Sequence, residues 1–88
     1  MSEHAHPFKI TVVVNGQPTE VEAHPKEPLQ SVIAPALDKT HNQHGQPPEN
    51  WELRDSAGTL LDVNEKIADF HFPPDTRLML NLKAGVGG

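Results

Sequence analysis

Asn15-Gly16 narrows what this 88-residue chain can form more than any other feature. Both central positions of a two-residue type I′ turn need φ > 0, and Asn-Gly accepts that conformation at little cost. On the N-terminal side, Phe8, Ile10, Val12 and Val14 alternate with Lys9, Thr11 and Val13. The pattern predicts a β-hairpin over residues 8–23. A two-residue loop also fixes register: Val14 opposes Gln17, Val12 opposes Thr19, Ile10 opposes Val21 and Phe8 opposes Ala23. Those pairs share one apolar face. The other face pairs Lys9 with Glu22 and Thr11 with Glu20, and is polar apart from Val13 beside Pro18. One face of the sheet is therefore buried and the other wet, and the apolar face needs a cover.

The cover is the segment 28–40. Leu29, Val32, Ile33, Ala36 and Leu37 fall at i, i+3, i+4, i+7 and i+8, a single helical stripe. Pro28 suits a first turn, where its missing N–H is not needed. Pro35 interrupts the pattern, because a proline inside a helix removes the bond to the carbonyl four residues back, here Ser31. It points away from the stripe, so the expectation is one helix bent at Pro35 and convex toward solvent. Gly45 is the expected stop, and Pro47-Pro48 prevents resumption.

The remainder reads as short pieces. Residues 41–50 are a polar loop, Trp51–Arg54 a short strand, and Asp55-Ser56-Ala57-Gly58 a turn. Thr59-Leu60-Leu61 is expected as a short edge strand, and 64–69 as a helical turn burying Ile67, followed by Phe70 or Phe72. Pro73-Pro74-Asp75 turns the chain into a last strand with Leu78, Leu80 and Leu82 inward. That strand is buried most fully at the centre of the sheet, between the hairpin and the third strand. The expected core is Phe8, Ile10, Val12, Val14, Val21, Leu29, Val32, Ile33, Ala36, Leu37, Leu53, Ile67, Leu78 and Leu80. The fold class is α+β, with a mixed sheet of four to five strands packed on one main helix. Residues 1–7 are expected as a disordered arm, 8–83 as the domain and 84–88 as a flexible tail.

Composition removes whole classes of function. Leu, Ile, Val and Phe make up 21 of 88 residues, above the ~20% below which disorder is expected. With no cysteine, disulfide staples, thiolate metal sites and a cysteine nucleophile are excluded. A cytoplasmic setting is the expectation, since a small secreted domain of this kind would usually carry staples. Twelve acidic against seven basic residues leave no electrostatic footprint for nucleic acid. No apolar run is long enough to span a membrane.

The C-terminal half carries a resemblance. Gly45-Gln-Pro-Pro-Glu-Asn-Trp-Glu-Leu-Arg54, Ala57-Gly-Thr-Leu-Leu-Asp62, Ile67-Ala-Asp-Phe-His-Phe72, Asp75-Thr-Arg-Leu-Met-Leu-Asn-Leu-Lys83 and the final Gly87-Gly88 resemble the corresponding segments of ubiquitin-like β-grasp proteins. The likeness covers residues 8–88. There are departures. Set against the family's pattern, the loop before the third strand is about four residues longer here, and the hairpin turn is tighter. Arg54 and Asn81 fall near the positions of ubiquitin's apolar patch. Lys83, Ala84 and Val86 replace the arginines of its tail.

The resemblance implies a protein modifier of bacterial type. The Gly88 carboxylate would be adenylated, passed to an enzyme thiol and attacked by a lysine amine of a target protein. Gly87 and Gly88 are then the conjugation residues, and Lys83, Ala84, Gly85 and Val86 the segment an enzyme recognises. Glycine suits a tail threaded through a narrow channel, since it lacks Cβ and permits close backbone approach. With nothing after Gly88, no proteolytic maturation is expected. The implied partners are an ATP-dependent activating enzyme, a conjugating enzyme and a metallo-isopeptidase, acting on a monomer with no cofactor. Two alternatives remain open: a sulfur carrier that holds a C-terminal thiocarboxylate, and a β-grasp interaction module that is never conjugated.

Other constellations are weaker. His4-x-His6 and His41-x-x-His44 have ligand-like spacing, but they sit in expected loops without thiolate support, and no metal site is expected. Alternation puts Trp51 on the same face as Leu53, so core is the expected place, with a partner anchor as the alternative. Lys39 and Lys66 are among the amines able to accept a further copy. Glu20 and Glu22 lie on the exposed strand face and do not converge, and Ser31 and Ser56 lack evident His and Asp partners. The chain is not expected to be an enzyme.

Overall fold

The computed structural model describes residues 6–85. The hairpin consists of β1 (Phe8–Val14) and β2 (Gln17–Ala23), joined at Asn15 (φ 50°) and Gly16 (φ 87°). Its register is the expected one, from Phe8 opposite Ala23 to Val14 opposite Gln17. The third strand, β3, is Trp51–Arg54 and the last, β4, is Arg77–Leu82. The order in the sheet is β2-β1-β4-β3, with β4 parallel to β1 and antiparallel to β3. The last strand thus occupies the central position. Val12 and Val14 align with Leu78 and Leu80 on its one side, and Leu53 aligns with Leu80 on the other.

The sheet has four strands. Thr59-Leu60-Leu61 does not form a fifth. Leu60 makes one isolated bridge to Arg54, and the Leu61 N–H donates to the Leu53 carbonyl at 2.9 Å. The turn before it explains why pairing stops so soon. Asp55 Oδ1 accepts from the N–H groups of Ala57 and Thr59, and Gly58 sits at φ 88°. These bonds close the chain on itself and leave little extended backbone to pair.

The covering segment is divided rather than bent. Leu29–Val32 forms a 3-10 turn and α1 runs Ile33–Lys39. Pro35 is the third residue of α1. The first four N–H groups of a helix have no intrahelical acceptor, so its missing donor costs nothing there. The expected kink becomes a helix start. The stop also differs from expectation. His41 (φ 62°) takes the left-handed position that ends α1, with His41 N–H on the Asp38 carbonyl and Asn42 N–H on that of Leu37. This pair of bonds satisfies the last helical carbonyls in a Schellman closure, ahead of Gly45. Thr40 is buried, and its hydroxyl donates to the Ala36 carbonyl at 2.8 Å while accepting from Asn42 Nδ2.

Between sheet and helix lie Ile10, Val12, Val14, Val21, Leu53, Leu78 and Leu80 on one side and Leu29, Val32, Ile33, Ala36 and Leu37 on the other, all buried. Ile67, in the 3-10 turn Ile67–Phe70, closes one end of the core. Each fully buried aliphatic side chain of this kind contributes about 1.5–3 kcal/mol. Leu82 faces inward and packs on the core's margin, half-buried. Two expectations need correction. Phe8 is half-buried, because it stands at the first position of β1, at the edge of the core. Val13, on the expected wet face, is 5% exposed. Its strand neighbours are Pro18 on β2 and Met79 on β4. A hairpin alone leaves Val13 open, and insertion of β4 beside it covers it. No helix among the described residues is long and apolar enough to cross a membrane.

Candidate functional site

The last strand delivers the tail. Leu82 pairs with Trp51, and the Lys83 N–H then donates to the Asn50 carbonyl at 2.9 Å, which fixes where the chain leaves the sheet. Asn50 is itself held. It ends a 3-10 turn Pro48–Asn50, and its Nδ2 donates to Gln46 Oε1 at 2.8 Å. The Trp51 indole N–H donates to the Gln46 carbonyl at 3.1 Å, so this aromatic ring is buried with its donor satisfied. The longer loop before β3 thus braces the tail root.

Beyond Lys83 the chain is exposed. Ala84 and Gly85 form a turn, with Gly85 at φ 84°. A Cβ on Gly85 would meet no atom within 4 Å, so glycine is needed there for the backbone angle rather than for space. Of the six expected tail residues, Lys83, Ala84 and Gly85 are described. Val86, Gly87 and Gly88 lie outside the described residues, as do residues 1–5 of the expected arm. His6 and Pro7, which are described, are exposed and in no strand or helix.

Two shallow clefts flank the tail root and share Trp51, Val63 and Lys83. One, of about 300 Å³, extends toward Gln30, Ile33 and Glu49. The other, of about 340 Å³, extends toward Leu60, Leu61 and Asp62. Leu60 is 55% exposed and is the one large hydrophobic side chain fully on the surface among the described residues. The sequence expectation for 59–61 is an edge strand, with no functional role for Leu60. The signal was present as two adjacent leucines, since neighbours in an extended chain point to opposite sides.

The outer sheet face is polar at the positions matching ubiquitin's patch. Arg54 Nε bonds Glu52 Oε2 at 2.9 Å, its other guanidinium nitrogen donates to the Gly58 carbonyl, and Asn81 is exposed. A further cleft adjoins the second one through Leu61. Phe70 and Phe72 stack with centroids 5.0 Å apart beside this cleft of about 540 Å³, which also reaches Asp75 and Arg77.

Among the described residues no three His, Asp or Glu side chains converge in a metal-binding group. His4 lies outside the described residues, while His41 ends α1 through its backbone. Lys39 Nζ donates to the Glu20 carbonyl at 2.8 Å, covering part of the open edge of β2. No serine–histidine hydrogen bond occurs among the described residues.

This architecture defines a ubiquitin-like β-grasp fold. It superposes on the ubiquitin of Caldiarchaeum subterraneum with a TM-score of 0.70 and 22% identity, over 94% of this chain and 100% of that one. It superposes on a designed protein based on ubiquitin with a TM-score of 0.72 and 17% identity, over 93% and 95% of the two chains. Likeness at this identity shows the fold. A family model described as protein of unknown function DUF2604 matches residues 3–88, and the chain belongs to that family. It is 58% identical over 81 residues to uncharacterized protein y4jI of Sinorhizobium fredii. The match covers 92% of this chain and 62% of that relative, so the chain spans less than two thirds of its length.

Proposed function

We propose that this chain is a ubiquitin-like protein modifier whose Gly88 carboxylate is activated and joined to amines of target proteins. The observation that carries the reading is the tail. A ubiquitin-like domain clamps its last strand at Lys83, and a glycine-rich segment, Gly85-Val86-Gly87-Gly88, follows at once. The reacting group is the Gly88 carboxylate, either as it stands or after removal of residues beyond it.

The chemistry belongs to the partners. The carboxylate attacks the α-phosphorus of ATP, pyrophosphate leaves, and a mixed anhydride with AMP forms. A thiol of the activating enzyme displaces AMP to give a thioester. A lysine amine then displaces that thiol and loses a proton, leaving an isopeptide bond. The modifier supplies the electrophile and no general base, so it is a substrate of this sequence rather than its catalyst. It needs no cofactor of its own. A conjugating enzyme and a metallo-isopeptidase would complete the cycle, with the modifier acting as a monomer in the cytoplasm. A bacterial setting is supported by the relative from Sinorhizobium fredii.

The test is to incubate the full chain with ATP and the proteins encoded by its neighbouring genes, and then to weigh the products. Adducts at lysine amines that vanish when Gly88 is deleted are the expected result. Replacement of one oxygen by sulfur at the C-terminus would instead establish a sulfur carrier. An unchanged mass in the presence of an active adenylating enzyme would leave only a non-conjugated interaction module.

A further inference from the structure

The cleft beside the tail root is open, and its chemistry is mixed. Leu60 stands exposed at its rim, Leu61 and Val63 are half-buried within it, and Trp51 forms its floor. Its charged groups are Glu52, Asp62 and Lys83, with Glu49 in the adjoining cleft. Glu52 is neutralised by Arg54 at 2.9 Å. Asp62 uses Oδ1 to accept the Asn64 N–H and has no cationic partner among the described residues, and the same holds for Glu49 in respect of charge. The surface thus offers an aliphatic contact point with Asp62 in the same cleft and Glu49 in the adjoining one, neither paired to a cation among the described residues, and with Lys83 lining both clefts.

Chain length ties this surface to the tail. Gly88 is five residues past Lys83, and five extended residues reach at most ~17 Å. A protein that closes around Gly88 is therefore held within that distance of Lys83, with the cleft within its reach. The polar outer face of the sheet, where Arg54 and Asn81 stand, offers it no comparable apolar contact.

We propose that the cleft of Trp51, Leu60, Leu61, Asp62, Val63 and Lys83 is the docking surface for the partner that acts on the tail, and that this partner presents an aliphatic side chain beside a cationic one. The inference rests on the modifier reading for the partner's role. The surface chemistry itself is testable without it. An aliphatic side chain seated against Leu60 removes exposed apolar area from water, and a guanidinium placed toward Asp62 and Glu49 adds a charge-assisted bond.

The first measurement is a titration of the isotope-labelled full chain with the capped tetrapeptide Arg-Leu-Leu-Arg, read by amide and indole NMR shifts. The expected shifts centre on Trp51, Leu60, Leu61 and Val63. The Glu-Leu-Leu-Glu analogue and the Leu60→Ser variant should each bind at least about five-fold more weakly. Asp62→Asn, at an exposed position, should weaken the arginine peptide and leave the glutamate peptide unchanged or tighter. No shifts at millimolar peptide, equal binding of both peptides, or shifts centred on Phe70 and Phe72 without Trp51 and Val63 would overturn the proposal. Concentration-dependent shifts at Leu60 without peptide would assign the cleft to a second copy. Shifts at Leu60 on deleting residues 86–88 would assign it to the chain's own tail. Either outcome also overturns the proposal.

The second measurement uses the conjugation reaction. If wild type forms adducts and Leu60→Ser forms them about ten-fold more slowly while folding normally, the docking role holds. Equal rates overturn it and leave the modifier reading intact. If wild type forms no adducts, the modifier reading fails, and the peptide titration alone decides the surface.

Discussion

The hairpin and the tail root are built on opposite terms. In the hairpin every structural decision is local: Asn15-Gly16 turns the chain, and the turn sets each pair from Val14–Gln17 to Phe8–Ala23. The tail root is assembled across the chain. Asn50 and Trp51, Leu60 and Val63, and Lys83 come from three stretches that meet because β4 ends beside β3. The hairpin carries its apolar residues inward, where they contribute stability. The tail root carries Leu60 outward, where a leucine contributes little to folding and is free to contact another molecule.

The largest test of this contrast is Leu80→Ala. Leu80 aligns with Val14 of the hairpin and Leu53 of the third strand, so it joins the two regions. Its loss should cost about 3 kcal/mol in a urea unfolding curve, in line with other fully buried leucines. Both regions should lose order together, read by the Trp51 fluorescence and by amide exchange in β1. Gly16→Ala should cost about 1 kcal/mol, because alanine is strained at positive φ, and the tail root should keep its native chemical shifts. A matching disturbance at Lys83 would break the distinction between local and assembled regions.

The helix between the regions supplies an intermediate case. Pro35→Ala should change stability by less than ~1 kcal/mol, whereas relief of a proline inside a helix would gain ~3 kcal/mol. Such a gain, measured by denaturation, would restore the bent helix and displace the helix start. The smallest effect belongs to Leu60→Ser, expected within about 0.5 kcal/mol of wild type, as for exposed positions without special contacts. A larger loss in the thermal unfolding midpoint would show that Leu60 is part of the core's support rather than a free contact.

Much of the fold was legible because its elements obey short-range rules. The hairpin, the inward leucines of β4 and its central place follow from alternation and from the burial that a central strand obtains. The helix end was misread because the left-handed position at His41 is set by the Schellman closure with Asp38 and Leu37 carbonyls, and a histidine there carries no advance signal. Gly45 looked the better stop only because glycine accepts that angle more cheaply. Pro35 was misplaced for a related reason: the apolar stripe continues through the 3-10 turn, so periodicity does not mark where α-helical bonding begins. The tail was legible as a sequence, from Lys83 to Gly88. The clefts that flank it were not, since they depend on the loop bracing through Gln46, Asn50 and Trp51.

The sequence by itself determined the hairpin and its register, the helical stripe, the inward face of β4 and the glycine-rich tail, because each depends on residues within a turn or two of one another. Only the tertiary structure decided that Val13 is covered, that Leu60 is exposed and that the tail leaves the sheet between two clefts. Those outcomes depend on which strand lies beside which, and the free energy of burial is shared among residues far apart in the chain.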